Sequence, residues 1–293
     1  MKKYTDTGKK DTRSGFGVGL LKAGQANPNV VAMTADLKGS LKMDAFAAEF
    51  PERFIQCGIA EANMVGAAAG LAITGKIPFI GSFAEFVTGR VYDQIRQEVA
   101  YGNTNVKIAS SHAGITLGED GATHQTMQAT IAAAKYNGPV YLRFGRPNVP
   151  NFTDENEPFV IGKAIVLNEG TDVTLIATGH TVWESLQAAE ALEAEGIKAE
   201  VIDMATIKPL DEKAIIASAK KTGCVVVAEE HNMAGGLGEA VAGVLARELP
   251  TPVVFVNGED KFGQSGTPSA LMAAYGLDAP HIAEAAKKAI AKK

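Results

Sequence analysis

The chain has 293 residues, 46% of them apolar and 21% charged, a balance that suits a globular protein with two cores rather than one. A formal net charge of -5 provides no electrostatic footprint for nucleic acid or an anionic membrane, so neither partner is expected. No apolar run is long enough to span a bilayer, and the start "MKKYTDTGKKDTRSG" lacks the apolar stretch of a secretory signal. With Cys57 and Cys224 in different halves, a cytoplasmic protein with unpaired thiols is expected.

In chain order, short apolar and β-branched runs at 29–35, 54–59, 78–83, 105–110 and 139–144 predict buried strands. Between them, 61–75 and 90–102 carry helical periodicity and end at glycine. Strand–helix alternation with near-continuous apolar strands predicts a parallel sheet covered on both faces. The segment "RPNVPNFTDENEPF" (146–159) breaks the pattern with three prolines and a cluster of acids, as a linker does. Alternation then resumes, with strands expected at 172–179, 198–206, 224–230 and 252–258, and helices at 181–196, 210–223, 235–249 and 280–292. The expected fold class is α/β, in two domains, each a mostly parallel sheet flanked by helices. The first domain is placed at 1–150, the linker at 151–160 and the second domain at 161–293.

Several local constellations carry possible chemistry. In "CGIAEANMVGAAAGLA" (57–72) a strand runs into Gly58 and Ala60, and Glu61 opens a helix. Glu61 therefore projects beyond a strand's carboxyl end, where open α/β sheets bind ligands. Taken alone it reads first as a carboxylate stabilising the helix N-terminus, worth about 0.3–1 kcal/mol. Phe83 and Phe86, three apart at the end of a strand and ahead of the next helix, read first as core and second as a stacking wall for a flat heterocycle. The glycine-rich loop "SSHAGITLGEDGATHQ" (110–125) holds His112, Glu119, Asp120 and His124. Its spacing matches no standard zinc signature, and no G-x-S-x-G nucleophile elbow or Walker A occurs. "NMAGGLGEAVAG" (232–243) sits at a helix start, where it either meets an anion or tightens a turn. Arg13 and Arg146 each lie in a loop beside a turn signal, placed as solvated surface residues or as phosphate clamps.

The order and wording of these stretches carry more than any one of them. "RSGFG…TADLKGS…FPERFIQCGIAEANMVGAAAGLA…GSFAEF…SHAGITLGEDGATHQ…GPVYLRFGRPNVP" resembles the pyrimidine-binding domain of transketolase, the thiamine diphosphate enzyme. Residues 160–293 resemble the C-terminal domain that follows it. The family's G-D-G…N motif for Mg²⁺ and the cofactor diphosphate is absent, and Met1 falls where the second domain of the family would begin. The chain is thus similar to the C-terminal subunit of a split transketolase. The resemblance implies a separate diphosphate-binding subunit that holds Mg²⁺, an α2β2 assembly, and ketol transfer between sugar phosphates of the pentose phosphate pathway.

It also implies residue roles. Glu61 matches the glutamate that hydrogen-bonds the cofactor's aminopyrimidine ring and favours its imino tautomer. Phe83 and Phe86 match the aromatic wall on that ring, and Asp36 an aspartate close to the cofactor. His112 and His124 match groups that reach substrate oxygens and shuttle protons, and Asp120 one that binds a sugar hydroxyl. Arg13, Ser40 and Arg146 match the holders of the sugar phosphate. One departure stands out: between Gln125 and Pro139 the family carries helix, strand and helix, where "TMQATIAAAKYNG" supplies one helix, so a strand is expected to be lost. Three rival readings remain. A deoxyxylulose phosphate synthase would read "DRAG" in place of "SHAG", and a 2-oxo acid dehydrogenase beta subunit shares the plan but not "GEDGATHQ". A non-catalytic scaffold has the shortened segment as its support.

Overall fold

The computed structural model describes residues 4–115, 123–152 and 159–293, with the backbone alone for 123–128. The chain divides into two compact units, Asp6–Ala113 with Leu117–Phe159, and Val160–Lys293 with the short stretches Met1–Thr5 and Gly114–Thr116. The segment at 153–158, inside the expected linker, lies outside the described residues.

The first unit runs β1 (Lys9–Asp11), α1 (Thr12–Ala26), β2 (Val30–Thr34), α2 (Asp44–Glu49), β3 (Phe54–Gln56), α3 (Glu61–Ile73), β4 (Ile77–Phe83) and α4 (Ala84–Thr88). It continues with α5 (Tyr92–Gln94), a π-helical stretch at Ile95–Tyr101, β5 (Lys107–Ser111), α6 (Thr123–Lys135), β6 (Val140–Arg143) and β7 (Asn148–Pro150). Five strands form one parallel sheet in the order β3-β2-β4-β5-β6. Every expected strand of this half is present. The period of two sorts the side chains to opposite faces. Val30, Ala32 and Phe79 join Phe16, Leu20 and Phe46 in one core, while Val31, Met33 and Ile80 join Met64, Val65 and Ala68 in the other. Each large apolar side chain so buried contributes about 1.5–3 kcal/mol.

Four local expectations need correction. The strand expected at 54–59 stops at Gln56, because Gly58 turns into the left-handed region (φ 64°) and the chain leaves the sheet. Phe86 lies inside α4, which starts directly after Phe83, instead of ahead of a helix. Arg13 is the second residue of α1 and buried, not in a loop; Asp11 caps that helix by accepting from Ser14 N at 2.7 Å. The helix expected at 90–102 splits into a short α turn and the π stretch.

Helix α1 is rich in glycine because its neighbours leave no room. A Cβ at Gly17 would fall 2.3 Å from the Lys42 carbonyl oxygen, and one at Gly24 2.5 Å from the Phe46 ring. Among the described residues the one crossover helix between β5 and β6 is α6, and the two strands pair directly, so β6 closes the sheet as its edge. Lys107, fully buried at the start of β5, donates to Asn105 Oδ1 (2.6 Å), Tyr136 O (2.8 Å) and Gly138 O (2.5 Å). It ties the end of α6 to the turn into β6. Burial lowers its pKa to about 8.

The second unit holds β8 (Ile165–Asn168), β9 (Val173–Ala177), α7 (Thr181–Ala194), β10 (Ala199–Asp203), α8 (Glu212–Thr222) and β11 (Val225–Ala228). It ends with α9 (Leu237–Glu248), β12 (Val253–Val256), α10 (Pro268–Ala274) and α11 (Ala279–Ile290). The sheet order is β12-β11-β9-β10-β8, parallel except for β8, which pairs antiparallel with β10. Both units therefore match the expected class. Helix ends follow local chemistry: Asp211 and Asp278 cap α8 and α11, and Gly223, at φ 75°, terminates α8. No helix of the described residues is long and apolar enough to cross a membrane.

Candidate functional site

Parallel pairing brings every strand's carboxyl end to one edge of the first sheet. Asp36 follows β2, Glu61 follows β3, Phe83 ends β4, His112 follows β5, and Arg146 follows β6. The sheet order reverses between β2 and β4, and open α/β sheets form their ligand crevice at such a reversal. Asp36 and Phe83 leave the sheet on the two sides of it.

Glu61 is the first residue of α3 and 4% exposed. Its Oε1 accepts from Arg90 Nη1 at 3.0 Å. The Arg90 guanidinium lies 3.9 Å from the Phe86 ring centre. Phe86 packs on Phe83 with ring centres 5.7 Å apart and planes at 33°. Phe83 in turn meets the His112 ring, centre to centre at 3.9 Å and at 41°. Glu61, Arg90, Phe86, Phe83 and His112 form one continuous row. Both phenylalanines are half-buried, so the wall keeps an open face.

Beyond His112 the row meets positive charge. The His112 pKa falls to about 4, first through burial and then through the charges of Arg13 and Arg146. The imidazole is therefore neutral near pH 7, with Nδ1 at 2.8 Å from Ser111 Oγ. Arg13 Nη1 donates to the Ser40 carbonyl at 3.3 Å, and its Nε lies 3.5 Å from Asp11 Oδ1. Thr12 Oγ1 donates to Gly145 O at 2.9 Å, which ties the start of α1 to the loop of Arg146. The geometry thus brings Arg13, Ser40, Arg146 and His112 into one neighbourhood.

Asp36 and His112 share a backbone feature. Both lie in the left-handed region, at φ 59° and 58°, where a side chain other than glycine's is uncommon. Asp36 is exposed, and its N–H donates to Gln56 Oε1 at 2.7 Å. Of the remaining expected site residues, Asp120 lies outside the described residues. His124 is the second residue of α6, with its side chain outside them.

Sequence reasoning did not single out Arg90 or Gln56. Arg90 carries no motif of its own, and only the pairing of a loop with the start of α3 reveals it. The other glycine-rich candidate, 232–243, resolves differently. Glu229 accepts from Leu237 N and Gly238 N, both at 2.7 Å, so the start of α9 already holds a carboxylate from this chain. Cys57 and Cys224 are free, and burial raises both thiol pKa values.

Comparison with known proteins agrees with this arrangement. Residues 8–130 match the transketolase pyrimidine binding domain, and residues 162–282 the transketolase C-terminal domain. A Methanocaldococcus jannaschii protein described as a transketolase C-terminal section is 43% identical over 302 residues, covering 94% of this chain and 95% of that protein. That alignment is longer than the 293 residues of the chain, so the relative holds residues without a counterpart here. The 6-deoxy-6-sulfo-D-fructose transketolase subunit SqwH of a Clostridium species is 41% identical, covering 94% of this chain and 92% of that one. A split-gene transketolase, solved as an inactive β4 tetramer, superimposes with a TM-score of 0.90 at 44% identity, covering 96% of this chain and 99% of that one. Two matched domains in order, and near-complete two-way coverage, show that the chain belongs to the transketolase family, among its split C-terminal sections.

Proposed function

We propose that this chain forms the pyrimidine side of a thiamine diphosphate site and, with a separate diphosphate-binding subunit, transfers a two-carbon ketol unit from a ketose phosphate to an aldose phosphate. The observation that carries this reading is the row from Glu61 through Phe86 and Phe83 to His112, with Arg13 and Arg146 beyond it. A buried carboxylate beside a half-buried aromatic wall fits a flat ring bearing a protonatable nitrogen. That is the pyrimidine half of the cofactor; Mg²⁺ and the diphosphate are assigned to the partner.

When bound, thiamine diphosphate supplies a carbon nucleophile, which the protein's own side chains lack. Glu61 holds a proton at the ring nitrogen, and Phe83 and Phe86 fix the ring plane. Asp36 closes the cofactor side of the crevice. His112, neutral at physiological pH, exchanges a hydrogen bond or a proton with a sugar oxygen without placing a charge in the pocket. Arg13 and Arg146 bind the sugar phosphate, with Ser40 beside them. His124 and Asp120 take a substrate oxygen and a sugar hydroxyl. The family includes a relative named for a sulfonated sugar, so the head group of the donor is assigned by assay and not by kinship.

The test is reconstitution. The chain is titrated with its diphosphate-binding partner, Mg²⁺ and thiamine diphosphate, and ketol transfer is assayed for phosphorylated and sulfonated donors. Activity should appear only in the mixture, with assembly into an α2β2 species. The chain alone should self-associate, as the β4 relative does, and bind the cofactor weakly. Tight Mg²⁺-dependent binding by the chain alone would sink the split-site reading.

A further inference from the structure

Arg90 lies on no strand end, in the connection between α4 and α5, yet it touches two of the residues assigned to the cofactor. Its Nη1 meets the Glu61 carboxylate at 3.0 Å, and its guanidinium stacks 3.9 Å from the Phe86 ring. Glu61 is nearly sealed from water, and a buried carboxylate without a counter-charge is costly. The Arg90 side chain is half exposed, so it reaches the carboxylate from the open side of the site. A guanidinium held flat on a ring has its N–H directions fixed, and it passes that orientation to the acceptor. We propose that Arg90 is a positioning residue: lodged between Glu61 and Phe86, it holds the Glu61 carboxylate aimed at the ring nitrogen of the cofactor. This rests on the reading of Glu61 given above.

Among the described residues packed against α3, no other charge is placed to do the same. Strands β2 and β4, which pack against α3, carry no ionisable side chain. On α5 and the π stretch, Asp93 and Arg96 pair with each other at 2.9 Å. The Glu98 carboxylate lies against Gly66, more than a turn along α3 from Glu61. On α4, the Glu85 carboxylate lies against Gly89. All three of these acids carry charge of the wrong sign, so among the described residues the positive partner of Glu61 falls to Arg90.

The experiment compares Arg90→Gln, Arg90→Lys and Glu61→Gln in the reconstituted complex. Three quantities are read: cofactor C2 proton exchange, cofactor affinity by calorimetry, and Tm. Arg90→Gln should slow exchange by on the order of ten- to hundredfold, the factor carried by one charge-assisted hydrogen bond. Arg90→Lys, which keeps the charge and loses the stack, should recover most of the rate, with cofactor affinity near wild type. Wild-type exchange in Arg90→Gln would overturn the proposal, as would a Lys variant no better than Gln. If Glu61→Gln itself exchanges normally, the reading of Glu61 falls first. If Glu61→Gln is dead and Arg90→Gln is normal, Arg90 alone is wrong.

Discussion

The two sheets reverse their strand order at corresponding places, between β2 and β4 in the first unit and between β9 and β11 in the second. In the first, the reversal is flanked by an exposed aspartate, two half-buried rings and a neutral histidine. In the second, the two carboxylates beyond the end of β11 are taken up within the protein. Glu229 takes two N–H groups of α9, and Glu230 Oε2 lies 3.5 Å from His180 Nδ1. A Cβ at Gly236 would fall 2.4 Å from Glu229, and one at Gly114, within the same unit, 2.4 Å from Glu230. Topology supplies the crevice in both cases, and side-chain chemistry decides whether it is left open. An acidic residue at a strand end is thus no evidence of a site until its acceptors are accounted for.

The sharpest test of this contrast removes one carboxylate from each crevice. Glu61→Gln should slow cofactor C2 proton exchange in the assembled enzyme by orders of magnitude while Tm moves little, since the amide keeps the shape and the hydrogen-bonding reach. Unchanged exchange would end the assignment. Glu229→Gln should do the opposite. An amide presents one acceptor oxygen where Glu229 uses two, leaving a buried N–H at the start of α9 unpaired at a cost of about 1–3 kcal/mol. Chemical denaturation reads that loss, and ketol transfer per folded molecule should stay at the wild-type level.

A smaller effect separates charge from burial at His112. Arg146→Gln should raise its titration midpoint from about 4 by a fraction of a unit, because burial is the larger cause and remains. Ring-proton NMR measures this directly. Inorganic phosphate should raise the midpoint in the wild type by offsetting the two guanidiniums, and raise it less in the variant; an equal response in both would remove Arg146 from the anion site. The sign for stability follows. The folded imidazole resists its proton down to about 4 while an unfolded one accepts it near 6.5, so the unfolded chain binds more protons between them. Stability therefore falls as pH drops through that window.

Much of the framework was legible because it is written in short-range patterns. Apolar runs such as "VVAMT" and "VVVA" admit no solvated face, and their alternation with helices leaves a parallel sheet as the economical answer. Parallel pairing then collects strand ends, so the neighbourhood of Phe83 and His112 follows from order alone. What was not legible depends on pairing across long separations. The β1–β7 ladder joins Lys9 to Pro150, and the antiparallel β8 turns the second sheet mixed; neither has a local signature. Helix α1 was hidden by its own glycines, which lower helix propensity and are set by contacts with Lys42 and Phe46. Arg90 escaped for the same reason, since its meaning lies entirely in what folds against it.

The left-handed backbone at Asp36 and His112 has a consequence for how this site can change over time. A glycine at either position would relax the backbone, and strained positions of this kind cost on the order of 1–3 kcal/mol each. The fold by itself thus favours losing both side chains. Under the proposed roles, keeping them trades robustness for activity, of the kind stabilising screens undo first. Selection for thermal tolerance alone would drift toward glycine here, yielding a sturdier chain with an emptied crevice. β-Branched residues, which tolerate this backbone least, should be the replacements the chain accepts most rarely at both positions.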